Sequence, residues 1–188
     1  MKLLNNLFFS IKKYFFHTAE YVIYEFIPEK IVSEIDNEIR VYTNITNIPS
    51  KIFKKIIPNK YLNIMFYRLS FGQAVLLCLL YNTNLIAYGW IQSWKSFKKK
   101  FRMIDTVKYE TYMLGPFWTD SNFRGKGYYG RLIENAIIFS GENKRSIIYT
   151  SPHNTSSKRG IEKAGFSKIG SFRITFIFRF ISFYSKLD

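Results

Sequence analysis

The sequence predicts one mixed α/β domain, and three observations carry that prediction. Apolar, β-prone runs fill the stretch from residue 14 to residue 119. The hydrophobic period then lengthens to three and four residues immediately after a cluster of glycines at 125, 127 and 130. A strand, a helix and a further strand follow the helix that this period marks.

In order, "FFHTAEYVIYEFI" suits a first strand and "EIRVYTNIT" a second that ends in turn residues. "PSKIFKKIIP" is a short basic amphipathic helix stopped by Pro58. "AVLLCLLYNTNLIAYGWIQSW" is a hairpin, two apolar runs joined by "NTN", since asparagine tolerates left-handed turn conformations. "SFKKKFRMIDTVK" is a basic connection or strand extension, and "YETYMLGPFWT" a strand bulged or bent at Gly115-Pro116. Tyr129, Leu132, Ile133, Ala136, Ile137 and Ser140 make one buried helical face. "RSIIYTS" is a short strand, and "NTSSKRGIEKAGF" a helix with a polar start and Gly165 as its stop. In "SFRITFIFRF", Phe172, Ile174, Phe176, Phe178 and Phe180 share one side of a strand opposite Arg173, Thr175 and Arg179.

A chain of 188 residues suits a single domain, 1–188, with no internal repeat and no Pro/Ser-rich linker. The apolar share of 47% and charged share of 22% exclude a disordered chain. The formal charge of +15 favours an anionic partner such as nucleic acid, an acidic membrane surface or a phosphorylated small molecule. Drift is the alternative, because Lys, Ile, Asn, Phe and Tyr are inflated together as in an AT-rich genome. A lone cysteine, Cys78, excludes an internal disulfide and a multi-cysteine zinc cluster, and with only His17 and His153 besides no metal site is expected. Cys78 reads as a small buried hydrophobe.

The uncharged stretch between Lys2 and Lys12 is too short to span a bilayer, which needs ~20 residues. No small-residue cleavage site follows it, so a cytoplasmic location is expected. This aromatic, basic N-terminus fits either a segment resting peripherally on the inner membrane face or an extra element of the fold.

The glycines ask for a ligand. A glycine-rich turn between strand and helix offers unpaired N–H groups at the positive end of the helix dipole, a ready site for phosphates. Arg124 and Lys126 add charge. A P-loop is excluded, because no Gly-Lys-Ser/Thr ends the turn. A dinucleotide fingerprint is excluded because the loop comes late in the chain.

"TDSNFRGKGYYGRLI" resembles the acyl-CoA pyrophosphate loop of the GNAT N-acetyltransferase superfamily, Arg/Gln-x-x-Gly-x-Gly/Ala. Arg124 and Gly127 match it, and Tyr129 departs from its usual Gly or Ala. "HNTSSKRGIEKAGF" resembles the same superfamily's second signature through Asn154, Ser157, Gly165 and Phe166. The resemblance covers about residues 40 to 182 and leaves about 1–40 as an N-terminal decoration. It implies a mostly antiparallel central sheet with flanking helices and a V-shaped splay between two central strands. It also implies acetyl-CoA as co-substrate and transfer of its acyl group to an amine.

By position, the resemblance implies that the N–H groups of Gly125, Gly127, Tyr129 and Gly130 hold the CoA pyrophosphate. Phe117 and Thr119 would offer backbone groups to the pantetheine arm, and Asn154 and Ser157 would contact it. The Tyr129 ring is expected to pack inward. The tyrosine that serves as general acid in many relatives is replaced by Ile161. Candidates for proton transfer are His153, at the end of the strand before Asn154, and Glu110 and Tyr112 on the strand entering the bulge. The structural readings beside these are a helix-capping histidine and a solvated strand-edge carboxylate. The acceptor expected is a small amine or a nucleotide-sugar, an amino-sugar of surface polysaccharide synthesis among them. Protein or tRNA acetylation is an alternative. From another class comes a basic, aromatic module that binds anionic membrane or nucleic acid and keeps a vestigial CoA site.

Overall fold

The structure is a computed structural model, and it describes residues 16–31, 34–56, 62–97, 110–177 and 181–187. Among these residues eight strands form one sheet: β1 (Phe16–Phe26), β2 (Ile39–Tyr42), β3 (Ala74–Tyr81), β4 (Asn84–Ser93), β5 (Thr111–Thr119), β6 (Arg145–Thr150), β7 (Ser167–Ile177) and β8 (Ile181–Lys186). Among the described residues, four helices flank the sheet: α1 (Ser50–Ile56), α2 (Asn63–Ser70), α3 (Tyr128–Ser140) and α4 (Thr155–Lys163). The spatial order is β2-β3-β4-β5-β6-β1-β7-β8. Every neighbouring pair is antiparallel except β5 and β6, which run parallel.

The hairpin forms as its sequence predicts. Asn82 and Thr83 turn the chain with φ of +47° and +65°, and Asn84 already belongs to β4 opposite Tyr81. Alternation on β3 then separates two cores. Leu77 and Leu79 face α3 together with Ala87, Ile91, Leu132, Ile133, Ala136, Ile148 and Ile161. Leu76 and Cys78 face α1 and α2 with Trp90, Ile52, Ile56, Leu62, Met65, Phe66 and Leu69. Leu132, Ile133 and Ala136 are fully shielded, so the stripe read from the sequence is what docks α3. Each fully buried Leu or Ile contributes ~1.5–3 kcal/mol.

Two parts of the architecture differ from expectation. Residues 16–26 are not a decoration: β1 lies inside the sheet, antiparallel to β6 on one edge and to β7 on the other. Its alternating apolar residues serve two faces at once, with Tyr24 on the α3 side and Ile23 in a third cluster with Met113, Ile147, Phe172 and Ile174. Helix α2 was not foreseen, although Leu62, Met65, Phe66 and Leu69 have helical spacing and are buried. The N-terminal residues 1–15, most of the basic connection (98–109) and Phe178 and Phe180 lie outside the described residues. Among the described residues, no helix is long and apolar enough to cross a membrane.

Candidate functional site

Strands β5 and β6 part company after three residue pairs, Thr111 with Arg145, Tyr112 with Ser146, and Met113 with Ile147. Both strands continue, to Thr119 and to Thr150. The cause lies on the other edge of β5. Gly89 pairs with Phe117 and Ile91 with Leu114, so Trp90 alone faces both Gly115 and Pro116. That is the expected bulge, and it re-aims β5 away from β6. The Gly115–Pro116 peptide is cis. The Gln92 side-chain amide donates to the Gly115 carbonyl and ties the bulge to β4. From Leu114 to Thr119 the edge of β5 facing β6 has no strand partner among the described residues. Main-chain groups on such an edge need another partner, whether water or a ligand.

The glycine turn opens beyond the end of β5. Asp120 accepts from the Asn122 amide at 3.1 Å and closes a helical turn over Ser121–Phe123. Gly125 and Gly127 follow with φ of +77° and +82°, a left-handed backbone that strains any side-chain-bearing residue. A Cβ built at Gly125, Gly127 or Gly130 would meet nothing within 4 Å. No neighbour requires these glycines for space, so they keep main chain accessible from outside. The first bond of α3 runs from the Arg131 N–H to the Gly127 carbonyl at 3.1 Å. Among the described residues, no main-chain acceptor takes the amides of residues 125 to 130. With the dipole of a 13-residue helix behind them, these amides form an anion cradle. Arg124 donates through Nε to the Thr119 carbonyl at 3.2 Å and is exposed beside the cradle. Lys126 lies over the Phe123 ring at 5.2 Å.

Tyr129 packs inward, as expected. Its ring rests on Gly160 of α4 and meets Phe117 edge-on at a centroid distance of 5.4 Å. Burial pushes its hydroxyl up to about 12, and a hydrogen bond from Ser157 opposes that rise. Ser157, expected against the ligand arm, is therefore engaged with Tyr129. Asn154 is engaged too, as the cap of α4, accepting from the Ser157 amide at 3.1 Å and from the Ser156 hydroxyl at 3.0 Å. The Phe117 ring covers Gly89, where a Cβ would stand 2.3 Å away.

Of the candidate proton carriers, Glu110 and Tyr112 are joined to each other, and His153 stands past the opposite end of β6. Tyr112 donates to Glu110 at 2.7 Å, and Lys144 pairs with Glu110 at 3.0 Å. Tyr112 first and Lys144 second hold the Glu110 carboxyl below the usual range, while burial and then Glu110 raise Tyr112. Both sit at the end of β5 where it is still paired with β6, and a carboxylate so stabilised is a poor base. His153 is exposed in the turn between β6 and α4, its carbonyl accepting from the Thr155 amide at 3.0 Å. It stands past the diverging end of β6.

Sequence reasoning missed Arg68, Gln92 and Tyr149. Arg68, on α2, donates to the Gln92 side-chain oxygen, the same glutamine that holds Gly115. Its guanidinium stacks on Phe97 at 4.6 Å. Tyr149, on β6 among Tyr21 and Phe172, has its hydroxyl pushed up to about 12 by burial first and the neighbouring Tyr21 and Tyr184 next, with the Arg68 charge opposing. No local pattern announces such contacts, because each joins elements distant in sequence. Among the described residues, no group of three or more His, Cys, Asp or Glu could hold a metal ion.

The chain matches no protein-family model and no curated protein. Solved structures do share its fold. A GNAT-family acetyltransferase from Colwellia psychrerythraea superposes with a TM-score of 0.55 at 16% identity, over 90% of this chain and 56% of that one. A GNAT-family protein from Novosphingobium aromaticivorans gives 0.55 at 14%, over 92% and 66%. A GCN5-related N-acetyltransferase from Sphaerobacter thermophilus gives 0.54 at 10%, over 93% and 57%. The chain thus spans 56% to 66% of the length of these three. With its mostly antiparallel sheet, its parallel pair that splays and its glycine turn at the head of α3, the chain has the GNAT acetyltransferase fold.

Proposed function

We propose that the protein transfers an acyl group, acetyl in the simplest case, from acyl-CoA to an amine. One observation carries the reading: a run of unspent amides at the head of α3 adjoins an unpaired edge of β5. The cradle suits the diphosphate of CoA, and the edge from Leu114 to Thr119 suits the amide-bearing pantetheine arm, which can continue the ladder that β6 abandons. Tyr129 supplies its N–H to the cradle while its ring locks α3 to α4.

The reaction is attack of a neutral amine on the thioester carbonyl carbon. The carbon–sulfur bond breaks, the CoA thiolate leaves, and the nitrogen gives up a proton. Positioning the reactants removes much of the barrier, up to roughly 7–11 kcal/mol in well-oriented systems. Main-chain donors near the bulge would polarise the carbonyl as its oxygen gains charge. We assign the proton from the amine to His153, at the diverging end of β6, in preference to the stabilised Glu110 and its partner Tyr112. Within this reading the acceptor is a small amine, an amino-sugar or nucleotide-sugar of surface polysaccharide synthesis. Labelled acetyl-CoA offered with amino-sugars, nucleotide-sugars, histone-like proteins and charged tRNA tests it. Transfer to a small amine supports the proposal, and transfer to none refutes it.

A second reading draws on the engagement of Ser157 and Asn154 inside the protein. If those contacts are permanent, the donor site is vestigial and the basic surface binds anionic lipid or nucleic acid. Tight, salt-sensitive vesicle or RNA binding without CoA binding is the result that selects it.

A further inference from the structure

Arg68 is a cation in the wrong place for a purely structural one. It is 8% exposed. Its recorded partners are neutral, the Gln92 carbonyl oxygen and the Phe97 ring. Among the described residues no carboxylate pairs with it. Holding a charge out of water without a counter-charge is costly, and proteins seldom retain one without use. A guanidinium has five N–H donors in a planar fork. Among the described residues, the polar side-chain atoms sealed without a partner are Trp90 Nε1 and Ser146 Oγ, and no Arg68 nitrogen is among them. Its unspent donors therefore keep a path to the outside.

The position of this fork matters as much as its burial. Arg68 holds Gln92, and Gln92 holds the Gly115 carbonyl at the bulge, the point where β5 leaves β6. Helix α2 packs on the face of the sheet carrying Leu76, Cys78 and Trp90. The glycine turn and α3 pack on the other face, with Leu77 and Leu79. The splay thus has an anion cradle on one side and a buried guanidinium at its apex on the other. Tyr149, close enough for its hydroxyl to feel the Arg68 charge, lines that second side from β6.

We propose that Arg68 receives an oxyanion, carboxylate or phosphate, carried by the amine acceptor itself, which enters from the α2 face while the acyl donor lies on the α3 face. This rests on the acyl-transfer reading. The bidentate fork would fix the acceptor's orientation so that its nitrogen points at the thioester, and the bound oxyanion would supply a counter-charge that no described residue gives Arg68.

Matched amines that differ in the oxyanion test the inference: β-alanine against propylamine, and O-phosphoethanolamine against ethanolamine. Binding of each is measured calorimetrically with the full chain, free and saturated with CoA, and kcat/KM is measured with acetyl-CoA. The expected result is a preference of about 10-fold or more for the anionic member of at least one pair, in binding and in kcat/KM. Whichever pair discriminates separates carboxylate from phosphate. Arg68→Gln is expected to abolish the preference and leave CoA affinity within about 2-fold, whereas Arg68→Lys, which keeps the charge but not the fork, retains part of it. No preference in either pair, failure of every anionic probe to bind, or a preference that survives in Arg68→Gln overturns the inference. If Arg68→Gln does not fold, Arg68→Lys decides: an undiminished preference overturns it and a partial one supports it. A chain that prefers the anionic amines but does not bind CoA sinks the acyl-transfer reading and leaves the oxyanion site standing.

Discussion

The ring of Tyr129 lies directly on the bare Cα of Gly160: a Cβ added there would stand 2.6 Å from Tyr129 Cδ1 and 2.9 Å from Cε1. A glycine inside a helix ordinarily costs ~0.5–1 kcal/mol relative to alanine, so Gly160→Ala would stabilise an unencumbered α4. Here the half-buried ring is held between Gly160 and Phe117, and the expected outcome is the reverse, a loss of ~1–3 kcal/mol from overpacking. Chemical denaturation of Gly160→Ala, Tyr129→Leu and the double variant checks it. The two effects should couple, with the double variant more stable than the sum of the single losses implies. Additive losses would mean that the ring and the glycine are not in contact.

Acid should weaken the fold through a small set of carboxylates. Burial works against the Asp36 charge, yet the Glu38 amide and Arg131 more than offset it and hold the carboxyl below its usual range. Glu110 and Asp120 are lowered as well, by Tyr112 with Lys144 and by Lys55 with the Asn122 amide. A group whose folded pKa is depressed contributes stability above its unfolded value and loses it as pH falls through the folded one. Urea midpoints should therefore be flat at neutral pH and fall progressively below about pH 4. Because water reaches these surface pairs and screens them, the effect of each is small. Arg131→Met should shallow that acid limb, and an unchanged slope would contradict the assignment of Asp36.

Cys78 should behave as an apolar residue. It is fully shielded on β3, and burial raises its thiol well above the ordinary range. A thiol reagent should leave the native protein unmodified and take up about one equivalent after denaturation. Fast native-state labelling would show that the second core opens on its own.

How much of this was legible follows from the range of each signal. The glycine turn could be read because φ > 0 is a local demand, met at Gly125 and Gly127 by the residues themselves. The bulge could be read from Gly115-Pro116 for the same reason. The inner position of β1 could not, since the alternation in "TAEYVIYEF" says that a strand has two faces and not which strands flank it. Strand β8 and helix α2 escaped notice, although the spacing of Leu62, Met65, Phe66 and Leu69 held the signal for the helix. Motif resemblance placed Asn154 and Ser157 near a ligand, but the cap on α4 and the hydroxyl of Tyr129 claim them. Arg68 reaches Gln92 across 24 positions, a contact that only the folded chain brings about.

Titration of CoA into the wild-type chain and into Gly127→Val tests the central claim most directly. Gly127 has φ of +82° with open space around its Cβ position, so valine brings local strain of ~1–3 kcal/mol and no clash inside the protein, while its methyls cover the amides of the cradle. The account predicts a measurable CoA affinity for the wild type and a loss of about 10-fold or more in a variant that still unfolds cooperatively, ~1.4 kcal/mol or more of binding energy. A wild-type chain that does not bind CoA, or a folded Gly127→Val that binds it undiminished, would contradict it.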